Sequence, residues 1–383
     1  MLDRLQKIVK FFMNRPIKNY YNTNYTKRAL LSYIVYPFRY RMKNTHTNHY
    51  EAITWGKILD ELGYQVDITQ YDDKSIDVSN YDVICGFGEV FFRCIYTADC
   101  RAKMIFYSTG RENCLQNYET LKRIKNVHEK KGVWLGESSR FVEKSYTSVS
   151  ITSDAVISLG NDICADSYKK YNDNVFQLDA PIYKVLDYKY IIQNKKSDFQ
   201  KHFLWFGSSG LVHKGLDLLL NYFSTRDDIF LHICGNIYYE KDFIKTYEQE
   251  LFQKENINVY GFVDIKSEKF EEILKQCGFV IFPSCSEGGS PSVLTCVGNG
   301  GLIPIITKET TIDTGFDIWI ENLDEEAIAK AVEKALLYSE NNIKKISNQV
   351  GEYVLNKHSM ENYYKNLKNI IENKIIKENM GDN

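Results

Sequence analysis

PSCSEGGSPSVLTCVGNGGLIP, residues 283–304, leaves an apolar strand, GFVIFPS (278–284), passes through a glycine turn and re-enters an apolar strand at LIPIIT (302–307). Between the strands the text predicts a helix with Ser290 as N-cap and Pro291 at the first position, where a missing N–H costs nothing. Three of the six prolines fall in this stretch beside Gly288, Gly289, Gly298, Gly300 and Gly301, so backbone shape is being specified. The N–H groups of Gly288, Gly289 and the helix start are expected to converge on one point, and a helix N-terminus is an anion site. An ordinary strand-to-helix turn capped by Ser-Pro would carry similar text. Glu287 tips the balance, because a carboxylate at the carboxyl edge of a sheet serves sugar hydroxyls better than packing.

Outward from this stretch, short apolar runs alternate with helix-length amphipathic segments, the pattern of parallel sheets covered on both faces. Towards the amino terminus, strands are expected at LLSYIVY (30–36), YQVDIT (64–69), YDVICGF (81–87), KMIFYS (103–108), DAVISL (154–159) and VFQL (175–178), with a helix over 49–63. Residues 181–202 read as a linker. A second series follows: strands HFLWFG (202–207), IFLHICG (229–235) and INVYGF (257–262), with helices over 214–223, 239–254, 267–277 and 324–340. The fold class is α/β, and the second series makes a complete Rossmann-like sheet with ligands at its strands' carboxyl ends.

With 383 residues the chain is long enough for two or three domains, and 44% apolar against 26% charged residues excludes disordered, collagenous and integral membrane classes. Net charge is only −2, but residues 1–50 hold ten Lys/Arg against the single acid Asp3, which leaves −11 for the rest. Nine cysteines without a CxxC pair read as reduced core residues, and the start, MLDRLQKIVKFFMNRPIK, has no clean secretory signal, so a cytoplasmic location is expected. No Asp-x-Asp triplet marks a metal site, and no bound divalent cation is expected.

A second concentration of signals is FGSSGLVHKGLD (206–217). Gly207 and Gly210 allow backbone to approach a ligand, and Lys214 can set an ammonium against a diphosphate. The spacing is neither a Walker loop nor GxGxxG. His213 reads as a surface residue capping a helix. His46, His49 and His128 read as solvated or capping groups, and Thr109, Gly110 and Arg111 as cleft lining.

Together, KGLDLLL, the Gly235-Asn236 turn, YGFV (260–263), Pro283-Ser284 and EGGSPSVLTCVGNG (287–300) resemble the carboxy-terminal half of GT-B glycosyltransferases of retaining family 4, the glycosyl transferases group 1. The resemblance covers about 200–340 well and 45–185 more loosely. It implies two Rossmann-like domains facing each other across a cleft: an acceptor-binding domain with a basic extension (1–185), a nucleotide-sugar-binding domain (200–345), and a helix (355–378) returning to the first. It implies that Lys214 neutralises the diphosphate of a UDP- or GDP-sugar, and that Glu287 with the amides of Gly288, Gly289 and Ser290 holds the sugar and phosphate. Gly207, Ser208, Ser209, Gly210, Gly235, Phe262, Ser292 and Thr295 complete the donor site, with no tightly bound cofactor. Two positions depart from the pattern: Thr295 replaces the second glutamate of E-x7-E, and Ser208 or Ser209 stands where an arginine is usual, which makes Arg111 and Arg140 candidates to replace that charge.

The implied reaction moves the sugar, with retention, to a glycan or lipid-linked acceptor, in bacterial surface polysaccharide or lipopolysaccharide assembly. The basic segment suits the anionic inner face of the cytoplasmic membrane, and nucleic acid is not an expected partner. A non-catalytic nucleotide-sugar or glycan-binding protein on the same scaffold, or a sugar-nucleotide epimerase, stays open, because a fold does not select among these.

Overall fold

The computed structural model describes residues 14–40 and 46–376. Within them, short apolar runs build two six-stranded sheets whose named pairings are all parallel. The first has the order β2-β1-β3-β4-β5-β6, from β1 (Lys27–Tyr33), β2 (Tyr64–Gln70), β3 (Val83–Gly86), β4 (Lys103–Ser108), β5 (Ala155–Leu159) and β6 (Val175–Leu178). The second has the order β12-β11-β10-β7-β8-β9, from β7 (His202–Phe206), β8 (Phe230–Cys234), β9 (Ile257–Gly261), β10 (Phe279–Phe282), β11 (Ile303–Ile306) and β12 (Ile318–Trp319). Central strands such as FVIF of β10 are apolar at every position because helices cover both faces, and all four of its residues are buried.

Strand order reverses between β1 and β3 in the first sheet and between β7 and β10 in the second. At such a point the connections leave in opposite directions and open a crevice at the carboxyl ends of the two strands. In the second sheet these ends lead into 207–215 and 283–290, the two segments that the sequence singles out.

Several expectations need correction. The first strand ends at Tyr33 rather than Tyr36, because Pro37 opens a short helix, Tyr36–Arg39. The helix expected over 239–254 is two shorter ones, Lys241–Thr246 and Glu248–Phe252, parted at Tyr247. The 181–202 segment, read as a linker, joins the two sheets and carries a helix of its own: the Asn299 amide oxygen accepts from Val185 N (2.7 Å) and Leu186 N (3.0 Å), and the helix Tyr188–Gln193 buries Ile191 and Ile192. An eighteen-residue helix, Glu340–Lys357, follows Glu325–Leu336 and was not foreseen.

The helix expected over 355–378 starts later, because Glu340–Lys357 ends before His358. This final helix runs Met360–Asn369, continues as a π-helix over Ile370–Ile376, and lies on the first sheet's side, where the Tyr50 hydroxyl donates to Met360 O (2.7 Å) and Tyr363 meets Tyr107 (3.1 Å). Lys368 pairs with Glu61 at 2.8 Å. Among the described residues no helix is long and apolar enough to cross a membrane. The basic stretches 1–13 and 41–45, and residues 377–378 of the expected last helix, lie outside the described residues. Within the described part, Lys18 and Arg28 both pair with the buried Asp67 carboxylate, at 3.0 and 3.1 Å.

Candidate active site

Lys214 and Glu287 meet at the second sheet's switch point, Nζ to Oε1 at 2.5 Å, with 4% and 10% of their side chains exposed. Gly215 makes this possible. Its φ of +70° and its contact with the Pro283 backbone, whose oxygen lies 2.2 Å from where a Cβ would stand, bring the loop after β7 onto the loop after β10. Trp205 Nε1 donates to Lys214 O (3.2 Å) and fixes the backbone, while the ammonium lies 5.3 Å from the centre of the Phe282 ring.

Glu287 has further partners: Ser284 Oγ donates to Oε1 at 2.9 Å, and Arg140 Nη1 stands 3.6 Å from Oε2. Burial pushes its pKa upward, but Lys214 and then Arg140 outweigh burial and hold it at about 2. Burial lowers Lys214 to about 8 against the pull of Glu287, so at neutral pH the pair is ionised. Arg140, 45% exposed, is the solvent-facing member of the group.

His213 is fully buried between the two halves, which corrects its reading as a surface cap. Ser286 O can only accept, so the Nε2 that approaches it at 2.5 Å carries the proton. Nδ1 therefore accepts, facing Thr120 Oγ1 at 2.9 Å and Cys285 Sγ at 3.4 Å. Burial lowers the ring to about 3, and it is neutral. Its place is structural: helix 113–131 of the first half rests on it, and the neighbouring Arg123–Asp217 pair (2.5 Å) is buried as well.

The glycine turn differs from expectation in detail. Gly289 N donates to Thr311 Oγ1 at 2.7 Å, so that amide is not free. Ser290 holds the N-cap position in a left-handed conformation (φ 34°) and its hydroxyl donates to Thr310 O at 2.6 Å, so the helix Pro291–Gly300 has no side-chain cap. Its first N–H groups keep their capacity for an external acceptor. Gly288 presses on the first half: a Cβ there would lie 2.2 Å from Thr109 O, which puts the Thr109–Arg111 turn at the cleft as cleft lining.

Among the remaining candidates, Gly207 N donates to Cys234 O and Gly235 N to Gly261 O, continuing the sheet towards the cleft, and Ser208 and Ser209 are exposed. Gly210 N and Leu211 N both donate to the buried Glu240 carboxylate, the latter at 3.0 Å, so these amides are occupied by a protein group. Ser292 is half-buried at the first turn of its helix. Thr295 Oγ1 donates back to Pro291 O at 2.7 Å and retains only acceptor capacity. Phe262 is 60% exposed at the end of β9, with the exposed Tyr238 ring 3.3 Å from where a Cβ on Gly261 would stand.

Arg111 reaches the Cys285 carbonyl (3.5 Å) rather than Glu287. His46 Nδ1 accepts from Asn48 N at the start of a helix, and His128 stacks on Trp134. Glu240, Tyr238 and Arg123 escaped the sequence reading, since no motif surrounds them and a single acid, tyrosine or arginine carries no signal until the fold places it.

Residues 191–370 match the family model described as Glycosyl transferases group 1. No curated protein matches the chain by sequence. Among solved structures, HepE of Anabaena in complex with UDP and glucose is 10% identical with a TM-score of 0.56, covering 91% of this chain and 99% of its own. Sucrose-phosphate synthase of Thermosynechococcus elongatus gives 13% identity and 0.61, covering 90% and 98%. A glycosyltransferase of Rickettsia africae gives 15% and 0.54, covering 91% and 100%. The architecture is that of GT-B glycosyltransferases, and the half of the chain that holds Lys214 and Glu287 matches the glycosyl transferases group 1 family.

Proposed function

We propose that this chain is a retaining glycosyltransferase of family 4 that moves a sugar from a UDP- or GDP-sugar to a glycan or lipid-linked acceptor in bacterial surface polysaccharide assembly. The observation that carries the reading is the buried Lys214–Glu287 pair at the switch point, beside a helix start that its own side chains leave uncapped. As the nucleoside diphosphate leaves, negative charge builds on its phosphates, and Lys214 and the first N–H groups of helix Pro291–Gly300 are oriented donors for that charge. Glu287 accepts from sugar hydroxyls, and Phe262 offers an exposed ring to the base. The acceptor hydroxyl attacks from the face the diphosphate leaves, assisted by that phosphate, which gives retention. HepE binds UDP and glucose on a similar fold, which agrees with a UDP-sugar donor.

The protein acts at the inner face of the cytoplasmic membrane through its basic amino-terminal residues, which attract anionic lipid by about 1 kcal/mol per Lys or Arg. The reading is tested by thermal shift against a panel of UDP- and GDP-sugars, followed by product analysis of any stabilising donor with and without polysaccharide acceptors. Ligand binding raises stability by RT ln(1 + [L]/Kd), so a donor at a working concentration registers directly. No stabilisation and no nucleotide release with any donor would sink it.

A further inference from the structure

Two carboxylates stand at the loop after β7: Glu287 beside Lys214, and Glu240 on the Gly210 and Leu211 amides. Lys214 alone therefore leaves this corner without surplus positive charge, and a diphosphate brings more negative charge still. The second half has only Ser208 and Ser209 where a further cation would help. The cation that does stand there comes from the first half. Arg140 Nη1 is 3.6 Å from Glu287 Oε2, and its side chain packs on Gly210, with Cβ and Cδ 3.1 and 3.2 Å from where a Cβ would be.

Arg140 rides on segment 132–146, which is fastened from both sides. On the second half, the Asp242 carboxylate accepts from Glu137 N (2.8 Å) and Ser138 Oγ (2.9 Å), while the Glu137 carboxylate accepts from Lys241 N (3.0 Å). On the first half, the Asn117 amide bonds the Val142 backbone in both directions at 2.9 Å. These bonds hold the arginine over the Lys214–Glu287 pair, yet 45% of its side chain remains exposed and able to turn onto a ligand.

We propose that segment 132–146 is a strap through which the first half delivers Arg140 as the second cation for the donor's diphosphate, so that the nucleotide is gripped by both halves together. The inference rests on the glycosyltransferase reading above and extends it to where the missing charge comes from. A guanidinium on a phosphate is a charge-assisted contact, and its loss weakens binding roughly 10- to 100-fold.

The test is calorimetric titration of UDP and GDP into the full chain and into Arg140→Lys, Arg140→Gln and Asp242→Ala, each at low and high salt. Arg140→Gln is expected to lose roughly 10- to 100-fold in affinity and to flatten the salt dependence, because an exposed cation is screened. Arg140→Lys keeps the charge and stays within about tenfold of the unmodified protein. Asp242→Ala removes no cation yet weakens binding, because the strap is released. Arg140→Gln binding as tightly as the unmodified protein, or Lys and Gln losing equally, overturns the role of the charge. Unchanged binding in Asp242→Ala overturns the strap. If the unmodified protein binds neither UDP nor GDP, the glycosyltransferase reading itself falls; if it binds and only the variants behave unexpectedly, that reading stands and the inference alone fails.

Discussion

Replacing Lys214 by Met removes the ammonium from Glu287 and leaves a carboxylate that is 10% exposed, with Ser284 Oγ at 2.9 Å and Arg140 at 3.6 Å as its remaining partners. Breaking a buried pair by removing one member costs about 3–5 kcal/mol, and the surviving arginine puts this case near the lower end, about 3 kcal/mol. Removing both members should cost far less. Glu287, held at about 2 despite burial by Lys214 and Arg140, contributes stability that is present above its unfolded value and lost as pH falls through about 2. Lys214, lowered by burial to about 8, opposes folding below that pH, an effect relieved as pH rises towards its unfolded value. At neutral pH the two terms offset. The double variant Lys214→Met/Glu287→Leu is therefore expected within about 1 kcal/mol of the unmodified protein while binding no donor. Hydrogen exchange at the amides of 283–290 reads the local free energy, and nucleotide titration reads the function. A double variant as unstable as the single one would show that the pair is a stability element, and the case for a functional charge pair would collapse.

Because burial lowers the Lys214 ammonium to about 8 in the donor-free protein, kcat/KM for the donor should fall as pH rises through that value, and Lys214→Arg should abolish this limb; an unchanged profile in that variant refutes the assignment. Gly288→Ala sets a methyl 2.2 Å from Thr109 O, so the halves must part: small-angle scattering should show a larger radius of gyration and titration a weaker donor. Asp217→Asn strips the charge from the buried partner of Arg123 (2.5 Å) and should lower stability by about 3 kcal/mol in calorimetry, with little change if the pair is dispensable. Phe262→Ala removes an exposed ring proposed to stack on the base and should weaken UDP by about 1–3 kcal/mol, whereas equal affinity would place the base elsewhere.

The fold was legible wherever both faces of a strand are buried. The run KMIFYS coincides residue for residue with β4, whose last five positions are all buried because helices cover both of its faces, whereas VFQL coincides with the edge strand β6, where Gln177 is exposed and only Leu178 is buried. Legibility failed where tertiary contact decides. Tyr188–Gln193 is too short to declare a helix on its own and forms because Ile191 and Ile192 are buried against the second half. Lys214 and Glu287 were readable because glycine and proline mark the loops that carry them. Arg140 was one of two arginines the sequence offered for the missing charge, and only the structure separates them, with Arg140 at 3.6 Å from Glu287 and Arg111 on the Cys285 carbonyl. His213 was misread because nothing in VHKG tells that helix 113–131 of the other half will cover it.

The contacts between the halves bear on how so closed a site would admit the proposed nucleotide. Around the Lys214–Glu287 pair the halves meet through directional polar groups: Thr120 with His213, Arg123 with Asp217, Ser138 with Asp242, Arg140 with Glu287, and Asn161 N with Thr311 O. Further out, Lys130 meets Glu325 and Lys131 meets Glu250. Parting such rims exposes charges and amides that water can solvate, whereas parting an apolar seam would cost about 25 cal/mol for each Å² uncovered. Closing them again desolvates the pair and strengthens every charge contact a diphosphate makes there. Such polar contacts suit a cleft that opens to take the proposed donor and shuts to use it, and one of them, Arg140, both joins the halves and is proposed to hold the leaving phosphates.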